Sequence, residues 1–212
     1  YLRAVDGFFS SLFGPTPTEP EPEPPEKPPN LLTGNGATRT IEVELHQSER
    51  LTGKNGRSPE EVVAIALADA FDAAGVSYAI GRMNESVHFT SAEQGSSETL
   101  GEFRSRFGQD GRDVDARLCL LDTPGSGTAE LAGVYGVMGV NNIDERFDPS
   151  RAEVPLSPRE RNVRGAIHEV GHALGGRHLT PILADAPEMA YSEPMEEQIR
   201  HYIETGNADP EP

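Results

Sequence analysis

The sequence predicts an α+β domain, with strands and helices mixed along one chain. Three observations carry this. The run Arg39-Thr40-Ile41-Glu42-Val43-Glu44-Leu45 alternates apolar and polar residues, the period of a half-buried strand. Two stretches, one from Ser58 and one from Ser157, open with helix-start grammar and continue with apolar residues at helical spacing. These strand-like and helix-like segments interleave instead of falling into separate blocks. Periodicity alone goes no further than α and β mixed.

In chain order, residues 1–14 form an apolar N-terminal segment holding Phe8, Phe9, Leu12 and Phe13. It is too short to be stable alone and reads as the remnant of an anchor or as a segment that docks on the domain. Residues 15–30 are a linker. Pro15 to Pro29 is nearly all Pro, Glu and Thr, so it cannot form a core. Proline favours an extended chain and like charges repel, which makes a semi-rigid tether. An SH3-type ligand is the sharper alternative, which the acid content and the lack of arginine disfavour. The domain occupies residues 31–206, and 207–212 read as a frayed tail.

Within the domain, Arg39 to Leu45 is the first strand. Gly53 to Gly56 is a turn. Ser58-Pro59-Glu60-Glu61 then starts a helix, with Ser as N-cap, Pro at the first helical position and Glu at the third. Val63, Leu67, Ala70, Phe71 and Ala74 give its buried stripe, and Gly75 ends it. Val76 to Met83 is a second strand. Residues 84–112 are rich in Ser, Glu and Gly, with a short helix around Leu100 to Phe107. His88 falls here without a partner at any metal-ligand spacing. Arg117 to Leu121 is a strong strand, and Cys119 within it reads as a small buried hydrophobe. It is the single cysteine, so no intrachain disulfide is possible. Gly125 to Gly127 is a turn, and Leu131 to Val140 a glycine-bearing strand. Asn141, Asn142, Asp144, Glu145 and Asp148 make an oxygen-rich loop. Calcium (Ca2+) is one reading of it, but no EF-hand spacing is present, and a solvated acidic loop is favoured. Ser157-Pro158-Arg159-Glu160 starts a helix stabilised by Val163, Ile167, Val170 and Leu174. Met195, Ile199, Tyr202 and Ile203 mark a last amphipathic helix.

Net charge is −17 and the isoelectric point about 4.7. That field excludes binding to nucleic acid or to an anionic membrane surface by overall charge. Lys27 and Lys54 are the two lysines; the other basic residues are arginines. Acid excess with so little lysine resembles proteins of extreme halophiles, here a halophilic archaeon. No stretch reaches the roughly 18 apolar residues of a membrane span. The chain begins at Tyr1 and is read as trimmed, with a signal or anchor removed.

The chemistry concentrates in His168-Glu169-Val170-Gly171-His172-Ala173-Leu174-Gly175-Gly176-Arg177-His178. Helix positions four apart lie on one face, so His168 and His172 can present two imidazoles to one point. Gly175 can take φ > 0 and turn the chain, which lets His178 swing back as a third ligand. Three neutral imidazoles with an open position make a catalytic zinc arrangement, whereas structural sites are closed by four ligands. Glu169 lies about 100° round the helix from His168. There it can reach a water at that point without being a ligand.

These eleven residues resemble the metzincin zinc-protease signature H-E-x-x-H-x-x-G-x-x-H of the matrixin, astacin and serralysin branches. Met189, eleven residues after His178, resembles the methionine of their Met-turn. The resemblance implies a zincin-like fold: a mixed twisted sheet, two long helices, and a small C-terminal subdomain with a final helix. It implies one catalytic Zn2+ on His168, His172 and His178, with Glu169 as general base and acid and Met189 as an apolar floor. Ala132–Met138 would be the sheet edge that pairs with substrate; an internal strand is the alternative. Tyr191, in a Met-x-Tyr pattern, matches a tyrosine that reaches zinc in astacin- and serralysin-like enzymes. The alternative is a tyrosine that only packs. The implied activity is that of an endopeptidase on protein or peptide substrates, a monomer, secreted or tethered at the cell surface. Two rival functions stay open: a non-catalytic tethered zinc-binding module, and a zinc hydrolase acting on a non-peptide substrate.

Overall fold

Two helices of the protein start where the sequence spells out a start. In the computed structural model, which describes residues 30–36, 39–51, 58–83, 85–108, 113–141, 153–178 and 181–207, α1 (Pro59–Ala73) and α3 (Pro158–Ala173) each begin at a complete capping box. Ser58 is paired reciprocally with Glu61, and Ser157 with Glu160. These boxes satisfy backbone N–H groups that the first helical turn leaves orphaned. α1 ends at Gly75, whose φ is +66°. Two shorter helices are α2 (Ser97–Phe107) and α4 (Glu193–Thr205), the latter capped by Ser192 and closed by Gly206 at φ +71°. Segment 1–14, linker residues 15–29, the turn Gly53 to Gly56, Asn142 to Asp148 and residues 208–212 lie outside the described residues.

Among the described residues, six strands form one mixed sheet. They are β1 (Asn30–Gly34), β2 (Ile41–Gln47), β3 (Tyr78–Arg82), β4 (Ala116–Leu121), β5 (Gly127–Ala129) and β6 (Tyr135–Gly139). Their spatial order is β1-β3-β2-β4-β6-β5. β3, β2, β4 and β6 are parallel, and the two edges, β1 and β5, run antiparallel to their neighbours.

Helices cover both faces. Ile41, Val43 and Leu45 of β2 pack in the main core with Val63, Leu67 and Phe71 of α1 and Val163, Ile167 and Val170 of α3. On the other face Cys119, Leu121 and Val137 meet Leu100, Phe103 and Phe107 of α2. Cys119 is thus the buried small hydrophobe expected of it. Met195, Ile199, Tyr202 and Ile203 of α4 enter the main core, so the described C-terminal residues share that core. His88 is at the surface, its Nδ1 2.9 Å from Glu49. No helix among the described residues is long and apolar enough to cross a membrane.

Three expectations need correcting. First, β2 is buried on both faces: its polar residues Glu44 and His46 are 3% and 0% exposed beneath α2. Arg117, also buried, donates from Nε to Glu44 Oε2 at 2.9 Å, and from Nη1 to Phe107 O and the Tyr135 hydroxyl. Alternation reads as half-burial because the second cover comes from a helix far along the chain. Second, the strand expected from Leu131 to Val140 begins only at Tyr135. Ala132, at φ +48°, breaks the extended path. Third, Ala132–Met138 is not the sheet edge. β6 bonds β4 on one side and β5 on the other. The edge is β5, whose first residue, Gly127, reads in sequence as the end of a turn.

Candidate metal centre

The site is built on the end of α3. Val163, Ile167, Val170 and Leu174 are buried and fix one face of the helix. His168 and His172 lie beside that stripe and emerge into a cleft. Beyond Leu174 the chain turns at Gly175, φ +93°, a conformation that favours glycine. Gly175 N–H donates to His172 O at 3.0 Å and Gly176 N–H to Gly171 O at 2.9 Å, closing the helix end. The chain then runs back and brings His178 to the other two.

The three Nε2 atoms converge. His168 Nε2 is 3.1 Å from both His172 Nε2 and His178 Nε2, and the last two are 2.9 Å apart. Tetrahedral ligands at zinc–nitrogen distances of 2.0–2.1 Å would sit roughly 3.3 Å from one another. The donor set therefore fits zinc. His172 Nδ1 donates to Gly176 O at 2.7 Å, which sets the tautomer and leaves the Nε2 lone pair facing the other two rings. Burial, with His172 and His178 adding to it, holds His168 down at about 4; burial likewise lowers His172. Both rings are neutral near pH 7, the form a metal requires. Among the described residues these three histidines are the group able to hold a metal ion; a tetrahedral ion held by them would keep a fourth position for water or substrate.

Glu169 lines the same cleft and is 7% exposed. Burial pushes its carboxyl up to about 7, within reach of a general acid–base role near neutrality. A dication on the histidines would draw it down again. The cleft has a volume of about 490 Å³, and Gly127, Thr128, Ala129, Leu131 and Arg177 complete its wall. A Cβ at Gly127 would fall 2.5 Å from Glu169 Oε1. The strand edge and the carboxylate are therefore in direct contact.

Tyr191 and Met189 lie in the main core, 2% and 8% exposed. The Tyr191 hydroxyl donates to Ile167 O at 3.2 Å, and burial raises its pKa. This is the packing position, one residue from His168 along the helix backbone. The segment carrying both residues is held to α3 by Arg164, which donates to Ala184 O at 2.7 Å and to Glu188 O.

Sequence reasoning missed Gly127, Thr128, Ala129, Leu131 and Arg177 as cleft residues. Three residues of strand carry too little periodicity to be seen, and Arg177 occupies an unconstrained position of the histidine motif.

No protein-family model matches the chain, and no curated protein sequence does. Among solved structures it is similar to an archaemetzincin from Methanopyrus kandleri, at 15% identity and a TM-score of 0.48, over 78% of this chain and 96% of that one. It is also similar to metalloproteinase-II from Bacteroides fragilis, at 14% identity and a TM-score of 0.50, over 80% of this chain and 55% of that one. At such identity the second likeness is one of fold: a metalloproteinase-like α+β arrangement around a mixed sheet.

Proposed function

We propose that this chain is a zinc-dependent endopeptidase of metzincin type, with His168, His172 and His178 as the metal ligands and Glu169 as the general base and acid. The observation that carries the proposal is the convergence of the three Nε2 atoms, each within 3.1 Å of the others, in a cleft that also holds the Glu169 carboxylate. When bound, zinc supplies Lewis-acid chemistry, polarising a carbonyl and making water a stronger nucleophile near neutral pH. Glu169 takes the proton from the attacking water on a carboxylate oxygen and delivers it to the leaving amine. Met189 and Tyr191 support the centre from the core, and Tyr191 is assigned to packing.

The strand edge supports a peptide substrate. Gly139 N–H donates to Ser126 O and Glu130 N–H to Tyr135 O. Alternation in an antiparallel ladder then turns the backbone groups of Gly127 and Ala129 to the open edge. An extended peptide can bind there by strand addition, alongside the three histidines. In the same reading the chain works as a monomer, secreted or tethered at a cell surface, in a salt-rich setting suited to its charge of −17.

The test is a casein digest by the purified protein with and without a zinc chelator. Chelator-sensitive cleavage is expected. Zinc binding without cleavage would favour a binding module, and hydrolysis confined to esters or other non-peptide substrates would move the reading to that class.

A further inference from the structure

Leu131 is 48% exposed, and with Val154 it is one of two large hydrophobic residues exposed among the described residues. A single exposed leucine is ordinary. Leu131 differs because it lines the cleft with the three histidines and Glu169.

Its place follows from the strand. Side chains two apart on a strand point to one face, so Gly127 and Ala129 of β5 look the same way, and Gly127 lies against Glu169. These two positions carry a hydrogen and a methyl group. Leu131 follows in the turn just after β5 and is the first bulky apolar side chain on that stretch of the cleft wall.

The turn that presents Leu131 is held from three sides. Ala132 adopts φ +48°, a region L residues rarely enter, and such backbones gather where the surroundings impose them for function. Ala132 N–H donates to His172 O at 3.0 Å and Glu130 N–H to Tyr135 O at 2.9 Å. The Glu130 carboxylate accepts from Arg104 of α2 at 3.0 Å. Leu131 is therefore fixed relative to a metal ligand.

We propose that Leu131 determines specificity, receiving one apolar side chain of an extended peptide laid along β5. The inference rests on the endopeptidase reading. A missing or extra methylene in an apolar subsite is worth about 10- to 200-fold in kcat/KM. One substrate position should therefore discriminate Leu from Ala at least about tenfold.

The experiment is cleavage of a peptide library, randomised one position at a time, by wild type, Leu131→Ala and Leu131→Asp. Zinc content and melting temperature are checked in parallel. Wild type is expected to prefer Leu, Met or Phe at one position near the cut. Leu131→Ala should reduce that preference about tenfold, and Leu131→Asp should turn it to Lys or Arg, with other positions unchanged. An unchanged profile in active variants overturns the role of Leu131 alone. A wild type that binds zinc but cuts no peptide overturns the endopeptidase reading, and this inference with it.

Discussion

Gly127 of the edge strand and Glu169 of α3 are in contact: a Cβ at residue 127 would lie 2.5 Å from Glu169 Oε1 and 2.7 Å from its Cδ. The proposed general base and the open strand edge are thus placed by one another. The smallest residue is needed where they meet.

Gly127→Ala tests this contact. The added methyl displaces the carboxylate while leaving the histidines alone. Misplacement by about 1 Å should lower kcat on the order of 10²-fold, with zinc content unchanged. Metal analysis beside steady-state kinetics checks it. Full activity in Gly127→Ala would mean that the Glu169 position is not critical.

Tyr191→Phe keeps the buried ring and removes the hydroxyl that donates to Ile167 O. Loss of that bond should cost about 1 kcal/mol of stability, read by denaturant unfolding, with kcat unchanged. A fall in kcat at constant stability would return Tyr191 to the catalytic set.

Glu102 offers a pH test. Its carboxylate accepts from Thr90 N–H and hydroxyl and from Ser91 N–H and hydroxyl. The bonds from Thr90, then those from Ser91, hold it down at about 2. Its folded pKa is depressed, so its stabilisation is present above the ordinary carboxylate range. It fades as pH falls through that range toward about 2. The melting-temperature gap between wild type and Glu102→Gln should be widest near neutrality and shrink below about pH 4.5. A gap independent of pH would remove the charge from the explanation.

The charge of −17 predicts self-repulsion at low ionic strength. Melting temperature should rise with added salt up to the molar range, as screening lengths fall to about 3 Å. A flat curve would count against the halophile reading.

The parts legible in sequence were those set by local chemistry. Ser58 with Glu61, and Ser157 with Glu160, define helix starts within four residues, and the two capping boxes are where they should be. The convergence of His168, His172 and His178 was legible for the same reason: helical pitch and one left-handed Gly175 suffice. What escaped was set by distant neighbours. The burial of Glu44 and His46 depends on α2, more than fifty residues away. β1, which pairs with β3, was not recognised as a strand. β5 is three residues long and shows itself only through pairing with β6. Ala132 at φ +48° broke a run that composition alone would have kept extended.

The central claim is that three histidines hold zinc while Glu169 moves the proton. The direct measurement is zinc content and peptide turnover of wild type and Glu169→Ala, purified side by side. We expect one zinc per chain in both, and turnover lower by about 10²-fold or more in the variant. Undiminished turnover in Glu169→Ala, or a wild type that cleaves peptides without zinc, would contradict the account.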